Sequence, residues 1–446
     1  MKFRNNLTLY LIFIIVFTIY ISLTISIPLK NGKFWHITDT HYDFMYIEGG
    51  DEDKQCREVT YKSKYEKGGA SSIGNYKCDT SFELLQSSFE YMVKHEEKPD
   101  FIIWTGDDPP HLGNSQLNET LVLQSITNMT NLIKGYFPDI PIFPSIGNHD
   151  SYPQHQIGVG PNWLFENVAQ LWSPFLSNDS IETFKLGGYY TELVSEGFRI
   201  ISLNTVFYYN ENRQCLNLTD PAGQLLWLNE TLANASLAGE RVWIIGHVPP
   251  GYNEKYDVFN FHKQFNDEYL FSFSQYSDII EFHIYGHEHT DTFRLFYDDP
   301  NDHINDIEPT GIMFLSPSLT PWMNQFLPAL PNNPGLRLYE YNITSFALLD
   351  YYQFWTNLTD NIISGNIDWQ LEYRATEFFN TFNLSPVSMY EAYLLIQSVT
   401  SQLLKFHFYN SVSYPTKGCD EICKKIQLCS IRHPFTKGFK ECLVEI

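Results

Sequence analysis

Positive charge is what this sequence lacks most. Lys and Arg number 29 against 52 Asp and Glu, a formal charge of −23 over 446 residues. A surface so acidic repels phosphate backbones, which excludes a nucleic-acid binder working through a basic face. Long apolar runs are nearly absent too. Leu7 to Ile27 is the single one, so a polytopic membrane protein is excluded. No repeat and no extended low-complexity stretch stands out, which removes collagen-like and coiled-coil architectures. Charged residues make up 18% against 43% hydrophobic, a balance foreign to a disordered chain. What remains is a globular, acidic protein, long enough for one large domain and a smaller companion.

The apolar run follows Lys2 and Arg4 and ends near Thr24 and Ser26, the pattern of a secretory signal over residues 1–27. A retained signal anchor is the alternative, because the run is long for a signal peptide. The sequons also imply export. Asn118, Asn128, Asn178, Asn217, Asn229, Asn234, Asn342, Asn357 and Asn383 each open an Asn-x-Ser/Thr triplet, the acceptor for an N-glycan. Four of the seven cysteines, Cys419, Cys423, Cys429 and Cys442, crowd into the last stretch, and Cys56 and Cys78 flank a loop. In an oxidising compartment these read as bridges. A zinc knuckle stays open for the last four, although they lack the usual Cys-x-x-Cys pairs. Cys215 is left over, as a buried or a reactive thiol. No apolar tail follows Cys442, so no C-terminal lipid anchor is expected. The expected location is secreted or lysosomal.

Short apolar runs recur along the chain, most of them ending in a Gly- or His-bearing loop. They are Phe34–Ile37, Phe101–Thr105, Ile140–Ile146, Phe198–Leu203, Val242–Ile245, Ile279–Tyr285 and Ile312–Leu315. Their length and their Ile, Val, Phe and Trp content predict buried strands. Between them Ser81–His95 and Glu119–Gly135 read as helices, the first with Phe82, Leu85, Phe89 and Val93 on its apolar stripe. Alternating strands and helices predict an α/β domain over 28–345, with its site at strand ends. Over 346–446, Phe346–Trp355 looks like a final strand and Ser388–Phe408 like one long helix, ahead of the Cys-rich segment. This part reads as a small helical subdomain.

Five strand-end blocks carry metal-ligand residue types: Asp39-Thr40-His41, Gly106-Asp107, Gly147-Asn148-His149-Asp150, Gly246-His247 and Gly286-His287-Glu288-His289. Two divalent ions about 3.5–4 Å apart need one carboxylate able to bridge them, and Asp107 is the natural bridge. Asp39, His41 and His289 can complete one site; Asn148, His247 and His287 can complete the other. Carboxylate, amide and imidazole donors suit zinc, iron or manganese rather than calcium, and the lack of thiolates suits hydrolysis rather than a structural site. The glycines opening the last four blocks are expected to let the backbone turn sharply. His149 points by position at a bound phosphate, with Asp150 expected to orient its ring. His111 follows two stiffening prolines. His155, His262 and His283 read as structural and Asn204 as a strand-end cap; Trp322 and Phe207-Tyr208-Tyr209 read as core, with contact to a substrate head group as the alternative.

Taken in order, the blocks from Asp39 to His289 resemble those of the calcineurin-like metallophosphoesterases. Gly106-Asp107-Asp108-Pro109-Pro110-His111, Gly147-Asn148-His149-Asp150-Ser151-Tyr152-Pro153 and Gly246-His247-Val248-Pro249-Pro250-Gly251 are similar to the acid sphingomyelinase branch. So are Ser316-Pro317-Ser318-Leu319-Thr320-Pro321, Asn333-Pro334-Gly335-Leu336-Arg337 and the C-terminal cysteines. The resemblance implies a two-sheet sandwich flanked by helices, two Zn2+ ions, and disulfides Cys56–Cys78, Cys419–Cys423 and Cys429–Cys442. It implies hydrolysis of a phosphodiester, with His149 stabilising the transition state and His111 protonating the leaving group. The expected substrate is sphingomyelin, cut to ceramide and phosphocholine; a soluble nucleotide is the alternative, and a non-catalytic lipid- or protein-binding relative a third. Acid sphingomyelinase carries a saposin domain ahead of its catalytic domain, for which Phe34 lies too early. The resemblance is therefore closer to the acid sphingomyelinase-like phosphodiesterases, and extraction of lipid from a bilayer is in doubt, though transient membrane contact is not excluded.

Overall fold

The computed structural model describes residues 31–65, 69–298, 308–324, 331–416 and 418–445. The expected signal segment, residues 1–27, lies outside the described residues. Strands β1 (Gly32–Ile37), β2 (Phe101–Trp104) and β3 (Ile142–Pro144) come first, then β4 (Tyr190–Ser195), β5 (Phe198–Ser202) and β6 (Arg241–Ile245). A two-residue hairpin, β7 (Tyr252–Asn253) and β8 (Val258–Phe259), precedes β9 (Ile280–Tyr285), β10 (Thr292–Phe296) and β11 (Gly311–Leu315). Last come β12 (Gly335–Tyr341), β13 (Leu348–Thr356) and β14 (Trp369–Arg374). Two six-stranded sheets result, in the orders β14-β13-β12-β1-β2-β3 and β10-β11-β9-β6-β5-β4. Strands β1, β2 and β3 run parallel, as do β5, β6, β9 and β11.

Alternation along each strand explains the sandwich. Phe34, Phe101, Ile103, Ile200, Trp243 and Ile284 fill the layer between the sheets. Their neighbours Trp35, Ile102, Trp104, Ile201 and Ile244 face the flanking helices. With both faces covered, parallel strands read as unbroken apolar runs, and all seven runs in the sequence are strands here.

Three local expectations need correction. The helix Phe82–His95, capped by the Ser81 side chain on Leu84 N–H, buries Leu84, Leu85, Phe89 and Met92. Phe82, in the first turn, is 52% exposed and touches the Tyr42 ring instead of the core. The long helix over Ser388–Phe408 is two helices, Pro386–Ser398 and Thr400–Asn410, broken where Val399 is extended (φ −118°, ψ 101°). The β-branched Val399 and Thr400 weaken the helix there. The division placed at 345/346 passes between β12 and β13, which are hydrogen-bonded neighbours in the first sheet. The helices that follow β14 pack onto the inter-sheet core and the edge strand β10. Disulfides Cys56–Cys78, Cys419–Cys423 and Cys429–Cys442 are formed, so the zinc-knuckle alternative falls, and Cys215 is a buried free thiol.

One buried ion pair ties the two sheets together. Arg337 of β12 meets Asp291, just ahead of β10, at 2.5 Å, and its guanidinium lies 4.1 Å over the Tyr351 ring. Arg337 also donates to Gln353 Oε1 and Leu315 O, and Tyr373 O–H donates to Asp291. Removing one member strands the other charge in a dry core, a loss of about 3–5 kcal/mol. Arg337→Leu and Asp291→Asn should each destabilise by about 3 kcal/mol in denaturant unfolding, and the double variant by clearly less than the sum. Additive losses would mean that the pair does not act as a unit.

Candidate metal centre

Every block singled out in the sequence sits where a parallel strand ends. Asp39 and His41 follow β1, Asp107 and His111 follow β2, and Asn148 and His149 follow β3; His247 follows β6, and His287 and His289 follow β9. The first sheet thus supplies three loops and the second sheet two, meeting at one end of the sandwich. Asp39, His41 and His289 bring their ligand atoms within 4.8 Å of one another, and Asp107, His247 and His287 do the same. Asn148 Oδ1 joins the second group, 2.9 Å from His247 Nε2 and 2.7 Å from His287 Nδ1. His41 Nε2 lies 3.5 Å from Asp107 and 3.9 Å from Asp39, so both groups share Asp107's neighbourhood.

The backbone is held tightly to reach this geometry. Asp39, His41, Asp107, His287 and His289 all have positive φ, between 39° and 72°. Each such residue costs about 1–2 kcal/mol in an L-amino acid, strain of the kind that accumulates at functional sites. Of the four glycines expected to supply sharp turns, only Gly106 has positive φ (81°). Gly147 and Gly286 are needed for closeness: a Cβ on the first would collide with the Asp107 carboxylate, and on the second with Thr38 and Asp39.

Hydrogen bonds aim the ligand atoms. His41 Nδ1–H donates to Pro109 O (2.7 Å) and His247 Nδ1–H to Thr105 O (2.6 Å), which turns both Nε2 atoms toward the carboxylates. His41 Nε2 is buried without a hydrogen-bond partner. A bare lone pair facing two carboxylates is unfavourable unless a cation lies between them. His247 makes the same point. Burial opposes its charging, yet Asp107 and Asp39 raise it to about 9, so the carboxylates demand positive charge at that position. A divalent ion meets that demand, and the donor set fits it. Glu288 turns away from the cleft and pairs with Arg294 at 2.5 Å.

In front of the centre lies an open cleft of about 670 Å³. His111 and His149 both line it and pack edge to face, ring centroids 4.5 Å apart. Asp79 accepts from His111 Nδ1–H (2.8 Å) and from its backbone N–H (2.7 Å), leaving Nε2 for the cleft. Trp322 stacks on the same ring at 3.8 Å and lines the cleft, so the alternative to its core reading holds. Phe207 and Tyr208 are core as expected, but Tyr209 lines the cleft edge-on to His287. His155, read as structural, stands in the cleft beside His149. Asp150 does not orient His149: its carboxylate accepts from the backbone N–H groups of Asp107, Asp108 and Gly147, while Gln154 meets the His149 ring. Asn204 donates to Gly187 O behind the site, and His262 bonds Asn212 O. Burial pushes the Cys215 thiol up to about 12, so it is inert. Asp79 and Gln154 carried no local signal, although Asp79 adjoins Cys78.

Burial, and then neighbouring imidazoles, hold His111 and His149 well below the ordinary histidine range. Both are neutral until an anion enters, and a phosphate supplies the charge that draws a proton onto them.

Asp107→Asn should lower the divalent-metal content from about two ions per chain and cut turnover by more than about a hundredfold, the upper range for losing an outer partner. Elemental analysis of the purified variant reads the first and an assay the second; full metal content would remove Asp107 from the bridging role. His283 is remote from the cleft, packed by Phe273 and Phe296, and burial lowers it from 6.5 to about 3. The unfolded chain therefore binds the extra proton, and stability present above 6.5 is lost as pH falls toward 3. His283→Leu should flatten that acid limb by up to about 1.4 kcal/mol per pH unit in unfolding titrations. An unchanged slope would mean that other groups govern it.

Comparison with known proteins agrees with this geometry. The calcineurin-like phosphoesterase family matches residues 32–291, and the acid sphingomyelin phosphodiesterase C-terminal region matches residues 308–445. The chain is 39% identical to acid sphingomyelinase-like phosphodiesterase 3b of Mus musculus, over 92% of this chain and 90% of the relative. It is 35% identical to cyclic GMP-AMP phosphodiesterase SMPDL3A of Homo sapiens, over 94% and 91%. Sphingomyelin phosphodiesterase A of Dictyostelium discoideum is 32% identical, over 92% of this chain and 68% of the relative. Two-sheet architecture, paired ligand groups and both family matches lead to one assignment: this chain belongs to the calcineurin-like phosphoesterases, among the acid sphingomyelinase-like phosphodiesterases, and is a phosphoric diester hydrolase.

Proposed function

We propose that the chain is a zinc-dependent phosphodiesterase, exported to an oxidising compartment, that hydrolyses a soluble phosphodiester of the nucleotide class. The observation that carries this is the wall of the cleft. Gln154 and Asn210 put amide groups on it, and Tyr209 and Tyr256 offer aromatic faces, while Asn253 and Asn260 are tied to the hairpin backbone and to Glu288. Amides set beside aromatic faces suit a sugar and a heterocyclic base, whereas ceramide calls for a continuous aliphatic wall. Export is supported by the three disulfides, and N-glycosylation by sequon asparagines that are all exposed or half-buried. Among the described residues no helix is long and apolar enough to cross a membrane.

Asp39, His41, Asp107, Asn148, His247, His287 and His289 would hold the two ions. When bound, these supply an activated water and offset the phosphate's negative charge. The chain's own groups do the rest. His149 contacts a phosphate oxygen and stabilises the charge that grows on it as the water oxygen bonds to phosphorus. As the bond to the leaving oxygen breaks, His111, fixed by Asp79 and Trp322, delivers its Nε2 proton to that oxygen. Hydrolysis of sphingomyelin is the second reading, favoured by the rings of Trp322, Tyr209 and Tyr256, which suit a quaternary ammonium group.

The test offers purified metal-loaded enzyme ATP, a nucleotide diester and sphingomyelin in detergent micelles side by side, with product identification. Turnover confined to sphingomyelin would overturn the nucleotide reading. In the same assay His111→Ala should lose about a hundredfold or more on a nucleotide diester with an alkoxide leaving group, and far less on its nitrophenyl ester, which needs little protonation. Equal losses on both would remove His111 from proton delivery.

A further inference from the structure

Glu288 stands between two metal ligands, His287 and His289, and the reaction as described leaves it unused. Its side chain turns into a buried cluster, where Oε1 accepts from Arg294 Nη2 (2.5 Å) and from Asn260 Nδ2 (2.5 Å). The side chains of Arg294 and Glu288 are both 0% exposed. From β10, the same guanidinium donates to Pro250 O (2.8 Å), Tyr252 O (2.6 Å) and Glu254 Oε2 (3.4 Å). These acceptors lie on the segment that runs from His247 into the β7–β8 hairpin. One side chain thus joins the loop of His287 and His289 to a wall of the cleft.

A second link reaches the same loop by another route. At the turn of the hairpin Lys255 Nζ donates to Asn332 Oδ1 (3.1 Å), and Asn332 Nδ2 donates to His289 O. The hairpin needs such supports. Its strands are two residues each and form a sheet of their own, too small to hold its shape unaided. Asn253, Tyr256, Val258 and Asn260 nevertheless line the cleft, where a substrate binds more tightly to a surface already ordered. At the far end of the links the loop is itself strained, with φ 72° at His287 and 60° at His289. Such a backbone persists only where its surroundings over-determine it, and coordination through both imidazoles would do so.

We infer that Glu288 is a positioning residue that couples the metal centre to the cleft wall. Gripped by Arg294 and Asn260, it fixes the hairpin to the loop of His287 and His289, so that filling the metal positions orders the hairpin and tightens substrate binding. The coupling is reciprocal in free energy: a substrate settled on the hairpin raises the affinity for the ions by the same factor. Both links end on one oxygen, and an amide oxygen accepts the same hydrogen bonds. This rests on the two-ion reading of the centre and holds for either substrate class.

Hydrogen exchange over residues 252–260, read by mass spectrometry, compares wild type, Glu288→Ala, Glu288→Gln and Arg294→Lys, each stripped by chelator and reloaded with Zn2+. In wild type the hairpin amides should exchange about fivefold more slowly with Zn2+ than without it, the lower range of coupling between sites. Glu288→Ala should lose that difference, and Glu288→Gln should keep most of it. Arg294→Lys retains the buried charge but cannot reach all four acceptors at once, so its difference should shrink as well. Each variant is compared with its own metal-free form, so a general loss of stability does not imitate the result. With both metal positions filled, Glu288→Ala should raise KM about tenfold and change kcat by less than about threefold. Wild-type exchange that ignores Zn2+, an unaltered KM in Glu288→Ala, or a full Zn2+ response in that variant (in Arg294→Lys, should Glu288→Ala not fold) overturns the inference. A wild-type chain that takes up no divalent ion in elemental analysis overturns the two-ion reading itself.

Discussion

Two carboxylates buried side by side set the terms for the rest of the molecule. Asp39 and Asp107 lie at the ends of neighbouring parallel strands, out of reach of solvent, and surrounded by imidazoles. Burial alone would protonate them, yet His247, helped by His289 at Asp39 and by His41, keeps both below the ordinary carboxylate range. Such an arrangement is tolerable only with cations between the ligands, so the pairing of sheets, the glycines without room for a Cβ and the carbonyls behind His41 and His247 can be understood as scaffolding for charge compensation.

How much of this the sequence disclosed depended on whether the signal was local. The strands were legible because both faces are covered, so each reads as a continuous apolar run. The ligand blocks were legible because each occupies a few consecutive residues just after such a run. The wall of the cleft was not. Asp79, Glu211, Asn253 and Asn260 come from separate loops and meet only through the fold. His155 looked structural because its partner, Glu211, is distant in sequence. The break at Val399 and the exposed Phe82 escaped for the opposite reason: the local pattern was helical, but packing against the sheets decided which positions were buried.

The C-terminal residues work at a distance from the chemistry. The disulfide Cys429–Cys442 joins the helices Glu421–Arg432 and Thr436–Glu445. From the second helix Phe439 stacks on Tyr252 at 3.9 Å and meets Phe259 edge-on at 5.5 Å. These are residues of the β7–β8 hairpin, whose Asn253, Tyr256 and Val258 face the cleft. Cys56–Cys78 plays a like part on the other side, anchoring the residue before Asp79 and so the ring of His111. Both walls of the cleft are stapled from behind.

The left-handed backbone at five ligand positions bears on how such a centre can evolve. Asp, Asn and His are, after glycine, the residues that enter this region most readily, and Asp and His are the types found there. A mutational walk among Asp, Asn and His at these positions adds little backbone strain, so the preference among zinc, iron and manganese can drift by exchange of ligands within an unchanged fold. Steps to bulkier or β-branched residues add strain where the chain already bears it. The scaffold thus channels its own variation toward oxygen and nitrogen donors and keeps hydrolytic chemistry within easy reach of descendants.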